Sequence, residues 1–145
     1  MSDRTRVMGV DFGERRIGVA LSDPTRTLAS PVRTFVRRRG RRPPWRDLDA
    51  LAREHDVGRV VMGLPLGLDG EETPWCAEIR EAGGELSRRL EVPVDYVDER
   101  FTSVRAERAI RSIGLPRRAR EQKERVDAAA AALILQRWLD GEREP

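Results

Sequence analysis

The chain has 145 residues, 39% apolar and 37% charged, with 28 basic and 25 acidic side chains and a net charge of +3. That is the length of one ordinary domain, long enough to bury a core without staples. The single cysteine, Cys76, and single histidine, His55, exclude a disulfide scaffold and a zinc site of several Cys or His ligands, and they leave His-dependent triads little to work with.

Lys123 is the one lysine; the other basic residues are arginines, which suit phosphate and base contacts but also follow from coding bias, so net charge alone assigns nothing. No apolar stretch approaches the ~18 residues of a membrane span. With one unpaired thiol and no leader-like start, the expectation is a cytoplasmic protein with no membrane partner.

Residues 7–12 read as a short buried strand, a turn follows at 13–16, and residues 17–21 return as the second strand of an antiparallel hairpin. A third strand is expected at 32–36, followed by a basic, mobile loop over 37–44. From Trp45 the pattern becomes helical, with Trp45, Leu48, Leu51 and Ala52 on one face. A fourth strand at 60–64 leads into a loop with Asp69-Gly70 as its turn signal. Thr73-Pro74 then reads as an N-cap and first position of a helix carrying Trp75, Ile79, Ala82, Leu86 and Leu90. A fifth strand is expected at 92–97 and a helix at 102–113. A second basic loop holds Arg117, Arg118, Arg120, Lys123 and Arg125, before a last helix at 124–139. The order predicts one α/β domain over 1–140: a mixed five-stranded sheet with a leading antiparallel meander, later strands parallel, and helices on both faces. Residues 141–145 are expected to fray. Trp45, Trp75 and Trp138 read as core anchors, and His55 and Cys76 receive no role.

Three acids occupy settings where a core is expected. Asp11 interrupts an apolar strand between Val10 and Phe12; it either caps the hairpin turn or serves a site, because a buried carboxylate is costly unless paired or metal-bound. Glu99 ends the fifth strand, where open α/β sheets bind ligands; the alternative is an ion pair with Arg100. Strand alternation puts Asp98 and Glu99 on opposite faces, so only one can join Asp11. Asp127 shares a helix side with Ala131, Ile134 and Trp138, at the start of the buried stripe; the alternative is a first-turn acid favoured by the helix dipole. Together the three suggest a site for Mg²⁺ or Mn²⁺, one or two ions, which could clamp both oxygens of a phosphodiester. Lys123, one turn before Asp127, can reach the same place, or is simply a solvated lysine.

Four blocks in order resemble the YqgF/RuvX family of pre-16S rRNA nucleases, also described as Holliday-junction-resolvase-like. They are Gly9-Val10-Asp11-Phe12-Gly13 with Arg16-Ile17-Gly18-Val19-Ala20 and Ser22-Asp23; Gly63-Leu64-Pro65 with Asp69-Gly70; Asp98-Glu99-Arg100-Phe101-Thr102-Ser103; and Lys123 with Val126-Asp127-Ala128-Ala129 and Ile134-Leu135-Gln136. The resemblance implies a ribonuclease-H-like fold. It also implies Asp11, Glu99 and Asp127 as the acidic, metal-binding catalytic set, with Lys123 beside them. Arg16, Arg100, Thr102 and Gly67 are implied to face substrate. Many relatives carry Asn where this chain has Gly67, so a polar contact is lost there or a backbone N–H replaces it. Thr102-Ser103 replaces two threonines, and the 37–42 loop is more basic than the family requires.

The expected activity is metal-dependent endonucleolytic cleavage at the 5′ end of pre-16S rRNA, with structured RNA as partner and a monomeric enzyme. Four-way DNA is the alternative substrate, and a non-catalytic RNA-binding maturation factor the alternative class. A nucleotide-binding actin-like ATPase shares the Asp11-Phe12-Gly13 hairpin, but 145 residues leave no room for its second lobe.

Overall fold

The computed structural model describes residues 5–37, 42–99 and 117–142, with side chains everywhere except 117–126. Strands β1 (Arg6–Phe12) and β2 (Arg16–Ser22) form the expected hairpin, followed by β3 (Ala29–Val36), helix α1 (Trp45–Glu54), β4 (Val57–Leu64), helix α2 (Pro74–Leu90) and β5 (Val94–Asp98). Helix α3 (Arg117–Arg137) runs into a short π-helical turn (Trp138–Glu142). The strands make one sheet in the order β3-β2-β1-β4-β5. β1–β2 and β2–β3 are antiparallel, and β1–β4 and β4–β5 parallel, so the mixed sheet with its leading meander is as expected. The hairpin turn is closed by the Gly13 N–H donating to the Arg16 carbonyl at 2.9 Å.

Side-chain alternation sorts the sheet into two faces. Met8, Val10, Phe12, Ile17, Val19, Val60, Met62 and Leu64 pack under α1 and α2, where Leu48, Ile79 and Leu86 are fully buried. Phe12 lies between Trp45 and Trp75, with ring centroids 6.4 and 6.0 Å away. Val7, Ala20, Val61 and Val97 lie on the other face under α3, against Ala130, Ala131, Ile134, Leu135 and Trp138. Trp138 donates its indole N–H to Asp95 at 2.9 Å, an acid also held by Arg59 at 3.0 Å. All three tryptophans are therefore packed into or against the core.

Several boundaries differ from the sequence expectation. β3 begins at Ala29 because its first residues pair with Leu21 and Ser22 across a bulge near Val19/Ala20, a register that no alternation announces. β4 begins at Val57, whereas β5 begins at Val94 and ends at Asp98. The segment read as a second basic loop is the first turns of α3, which starts at Arg117; its Arg, Ala, Glu, Gln and Lys residues are good helix formers that carry no apolar period. Thr73 stands at the N-cap of α2, but its hydroxyl contacts the Cys76 sulfur (3.4 Å) rather than capping a backbone N–H. The expected 102–113 helix, residues 38–41 of the 37–44 loop and residues 143–145 lie outside the described residues. No helix among the described residues is long and apolar enough to cross a membrane.

Candidate active site

Asp11 is the penultimate residue of β1, paired opposite Gly18 of β2. It points to the α3 face with Gly9 and Val7, two and four residues earlier. It lies within the strand, one residue before its end. On the other flank, one step beyond the Val10–Met62 pair, lies Gly63 of β4.

The two glycines beside Asp11 are there because larger residues would collide. A methyl group on Gly18 would strike the backbone carbonyl of Asp127, so α3 sits directly on β2 at this point. A methyl group on Gly63 would strike the Glu99 carboxylate and, at 2.8 Å, the Ile134 side chain. Glu99 follows the last residue of β5 and is anchored by its own N–H to the Leu64 carbonyl at 3.0 Å, which turns its side chain back over Gly63. The chain thus leaves two empty positions around Asp11, one filled by Glu99 and the other by the α3 backbone at Asp127.

Among the described residues the buried carboxylates are Asp11 (3% exposed), Glu99 (2%) and Asp127 (2%), the same three that the sequence singles out. Asp127 is ten residues into α3, so it is no first-turn acid favoured by a helix dipole. Its carboxylate pairs with the Arg16 guanidinium, Nε to Oδ2 at 2.9 Å. Arg16 opens β2, two residues from Gly18 on the same face, and its side chain is 23% exposed against 3% for Asp127. The guanidinium therefore reaches inward from the rim.

The donor chemistry suits a divalent ion: hard, anionic oxygens held away from bulk water at the carboxyl ends of parallel strands. Mg²⁺ needs only one or two carboxylates, keeping waters and substrate oxygens as its other ligands. Among the described residues no group of three or more His, Cys, Asp or Glu is gathered closely enough to hold a metal, so the acids share a face and a sheet end without forming a closed cage.

The remaining site residues divide. The Gly67 N–H donates to the Glu71 carbonyl at 2.9 Å, and Gly67 accepts from Gly70, so this backbone is used inside its own loop and is not turned to a substrate. Arg100, Thr102 and the Lys123 side chain lie outside the described residues. Asp23 and Gln136, both within the quoted blocks, prove to be architectural. Asp23 accepts from the Thr27 and Leu28 N–H groups (2.7 and 3.2 Å) and the Thr25 hydroxyl, and these bonds hold its carboxyl below the usual range. Gln136 accepts from the Ala29 N–H and donates to the Thr27 carbonyl, tying α3 to the β2–β3 loop.

Sequence reasoning passed over Arg37 as a single residue. Its Nη1 donates to the Gly13 carbonyl at 2.9 Å and its guanidinium lies 4.7 Å over the Phe12 ring. Its own N–H donates to the Arg15 carbonyl at 2.7 Å, which ties the end of β3 to the β1–β2 turn, while its guanidinium lies with Phe12 on the α1/α2 face, opposite Asp11. Burial lowers the Arg37 pKa from its ordinary value. The place of Arg37 at the start of an arginine run was the available signal.

The profile of the RuvX family, described as Holliday junction resolvase, matches residues 5–141. A protein of Roseiflexus sp. named "Putative pre-16S rRNA nuclease" is 42% identical over 142 residues, covering 98% of this chain and 99% of its own. One of the same name from Anaeromyxobacter sp. strain K is 46% identical, covering 93% and 96%. Among solved structures, Thermus thermophilus RuvC in complex with Holliday junction substrate superposes with a TM-score of 0.53 at 14% identity, covering 97% of this chain and 99% of its own. Fowlpox virus resolvase bound to junction DNA gives 0.51 at 12%, covering 93% and 97%. These likenesses at low identity establish the resolvase-type, ribonuclease-H-like fold.

Proposed function

The chain belongs to the RuvX family, and from that premise we propose that it is a metal-dependent endonuclease that hydrolyses phosphodiester bonds at the 5′ end of pre-16S rRNA during ribosome maturation. The observation that carries the chemistry is the burial of Asp11, Glu99 and Asp127 around two glycine gaps at one sheet end. These acids would hold one or two Mg²⁺ or Mn²⁺ ions, which when bound polarise the phosphate and lower the pKa of the attacking water. Asp11 is fixed by its strand and Glu99 by its backbone bond to β4, so the backbone that carries the two carboxylates keeps its place before substrate arrives.

Arg16, part exposed beside Asp127, gives the phosphate backbone a landing place without reading sequence. Arg100 and Thr102, next along the chain from Glu99, are assigned to substrate, and Lys123 to the phosphate or the attacking water. Gly67 keeps only a loop-shaping role. The protein is expected to work in the cytoplasm as a monomer.

The test is cleavage of a 5′-extended pre-16S RNA fragment beside a four-way DNA junction, in Mg²⁺, Mn²⁺ and EDTA. Wild type is expected to cut the RNA only with metal, and Asp11→Asn and Asp127→Asn to fall to background with unchanged circular dichroism. Preferred cutting of the junction would transfer the reading to DNA, in keeping with the family's description. Full activity in either variant would remove the acids from the mechanism.

A further inference from the structure

Arg16 is engaged with a buried acid, although the sequence places it towards substrate. We propose that Arg16 is an exchanging cation: it holds Asp127 while the acid has no other cation, and is released to a substrate phosphate when Asp127 takes up a divalent ion. This rests on the metal-site reading above and adds an order of events to it.

Two observations carry it. Asp127 cannot follow a moving partner, because its backbone carbonyl is wedged over Gly18 in mid-helix. Arg16 can move: its backbone is fixed by strand pairing with Val36 and by the Gly13 N–H bond, but its long side chain is part exposed and approaches from the rim. A guanidinium is charged at every working pH, so only a competing cation or anion redistributes it. A divalent ion and a guanidinium sharing one carboxylate repel each other as like charges. Phosphate accepts a guanidinium in a two-pronged geometry that a surface-reaching arginine can supply.

The exchange predicts a sign that a purely supportive role would not. If Arg16 competes for Asp127, its removal strengthens metal binding by the substrate-free protein. If it merely braces Asp127, removal weakens it. The experiment is calorimetric titration of Mn²⁺ into the full chain as wild type, Arg16→Gln, Arg16→Lys and Asp127→Asn, without nucleic acid. Arg16→Gln is expected to bind Mn²⁺ roughly ten-fold tighter than wild type, and Arg16→Lys, which keeps the charge, to stay within about three-fold of it. Unchanged or weaker binding in Arg16→Gln overturns the exchange. Unaltered Mn²⁺ binding in Asp127→Asn overturns the metal-site reading instead, so the two failures are distinguishable.

The second readout is the salt dependence of binding to a hairpin RNA with a single-stranded extension. In Ca²⁺ the slope for Arg16→Gln should be smaller than wild type by about one, the signature of one lost phosphate contact, and in EDTA the two should coincide. Equal slopes in both buffers would mean that Arg16 never leaves Asp127. Arg16→Lys shows whether a loss in Arg16→Gln comes from charge or from misfolding, since it should restore the Ca²⁺ slope.

Discussion

The two faces of the sheet solve the packing problem in opposite ways. Under α1 and α2, large side chains interlock: Phe12 between two tryptophans, and Leu48, Ile79, Leu86 and Met62 with essentially no exposure. Under α3 the contact is made by absence. Gly18 and Gly63 leave room for a helix backbone and a carboxylate, and the helix itself presents alanines. Each fully buried aliphatic or aromatic side chain on the first face contributes about 1.5–3 kcal/mol. The second face carries three buried carboxylates, whose burial costs free energy unless countered. One face supplies stability and the other accommodates the candidate site, with β1 contributing alternate residues to each.

Truncating a large residue on the α1/α2 face should break that division most visibly. Leu86→Ala leaves a cavity in a fully packed layer and is expected to cost about 2–5 kcal/mol by denaturant unfolding. Cleavage per folded molecule should survive at low temperature. A larger loss of specific activity than of folded fraction would show that the two faces are not separable.

Filling the gaps on the α3 face should do the reverse, and the two glycines should differ. Gly18→Ala drives a methyl into backbone that cannot step aside, so about 1–3 kcal/mol of stability should go as α3 lifts from β2. Gly63→Ala meets first the end of the Glu99 side chain, which can swing away, so about 1 kcal/mol is expected, with metal-dependent cleavage falling far more than stability. If Gly63→Ala cleaved normally while its melting temperature dropped, Glu99 would have no part in the chemistry.

How far this division was readable beforehand follows from which signals are local. Strand alternation, a two-residue rule, showed that only one of Asp98 and Glu99 could join Asp11, and the family resemblance chose Glu99; Asp127 was legible because Ala131, Ile134 and Trp138 repeat at helical spacing. The start of α3 was misread because residues 117–123 are polar helix formers with no apolar beat. The work done by Gly18 and Gly63 was invisible for a different reason: a glycine between two apolar residues looks the same whether a helix lies on it or not. The Arg16–Asp127 pair joins residues from opposite ends of the chain, and only the folded sheet brings them together.

The smallest predicted effect tests whether glycine on the stabilising face has any such purpose. Gly83 on α2 is closely approached by Tyr96 and its hydroxyl, whereas a methyl group at Gly84, the next residue, would meet nothing within 4 Å. Gly84 lies inside a 17-residue helix, where glycine costs backbone entropy and supplies no contact. Gly84→Ala should therefore stabilise the protein by about 0.4–1 kcal/mol, raising the melting temperature by roughly 1–4 °C, with cleavage and Mn²⁺ affinity unchanged. A gain of stability accompanied by a loss of cleavage would mean that α2 must yield during the reaction. The stabilising face would then be part of the machinery rather than its support.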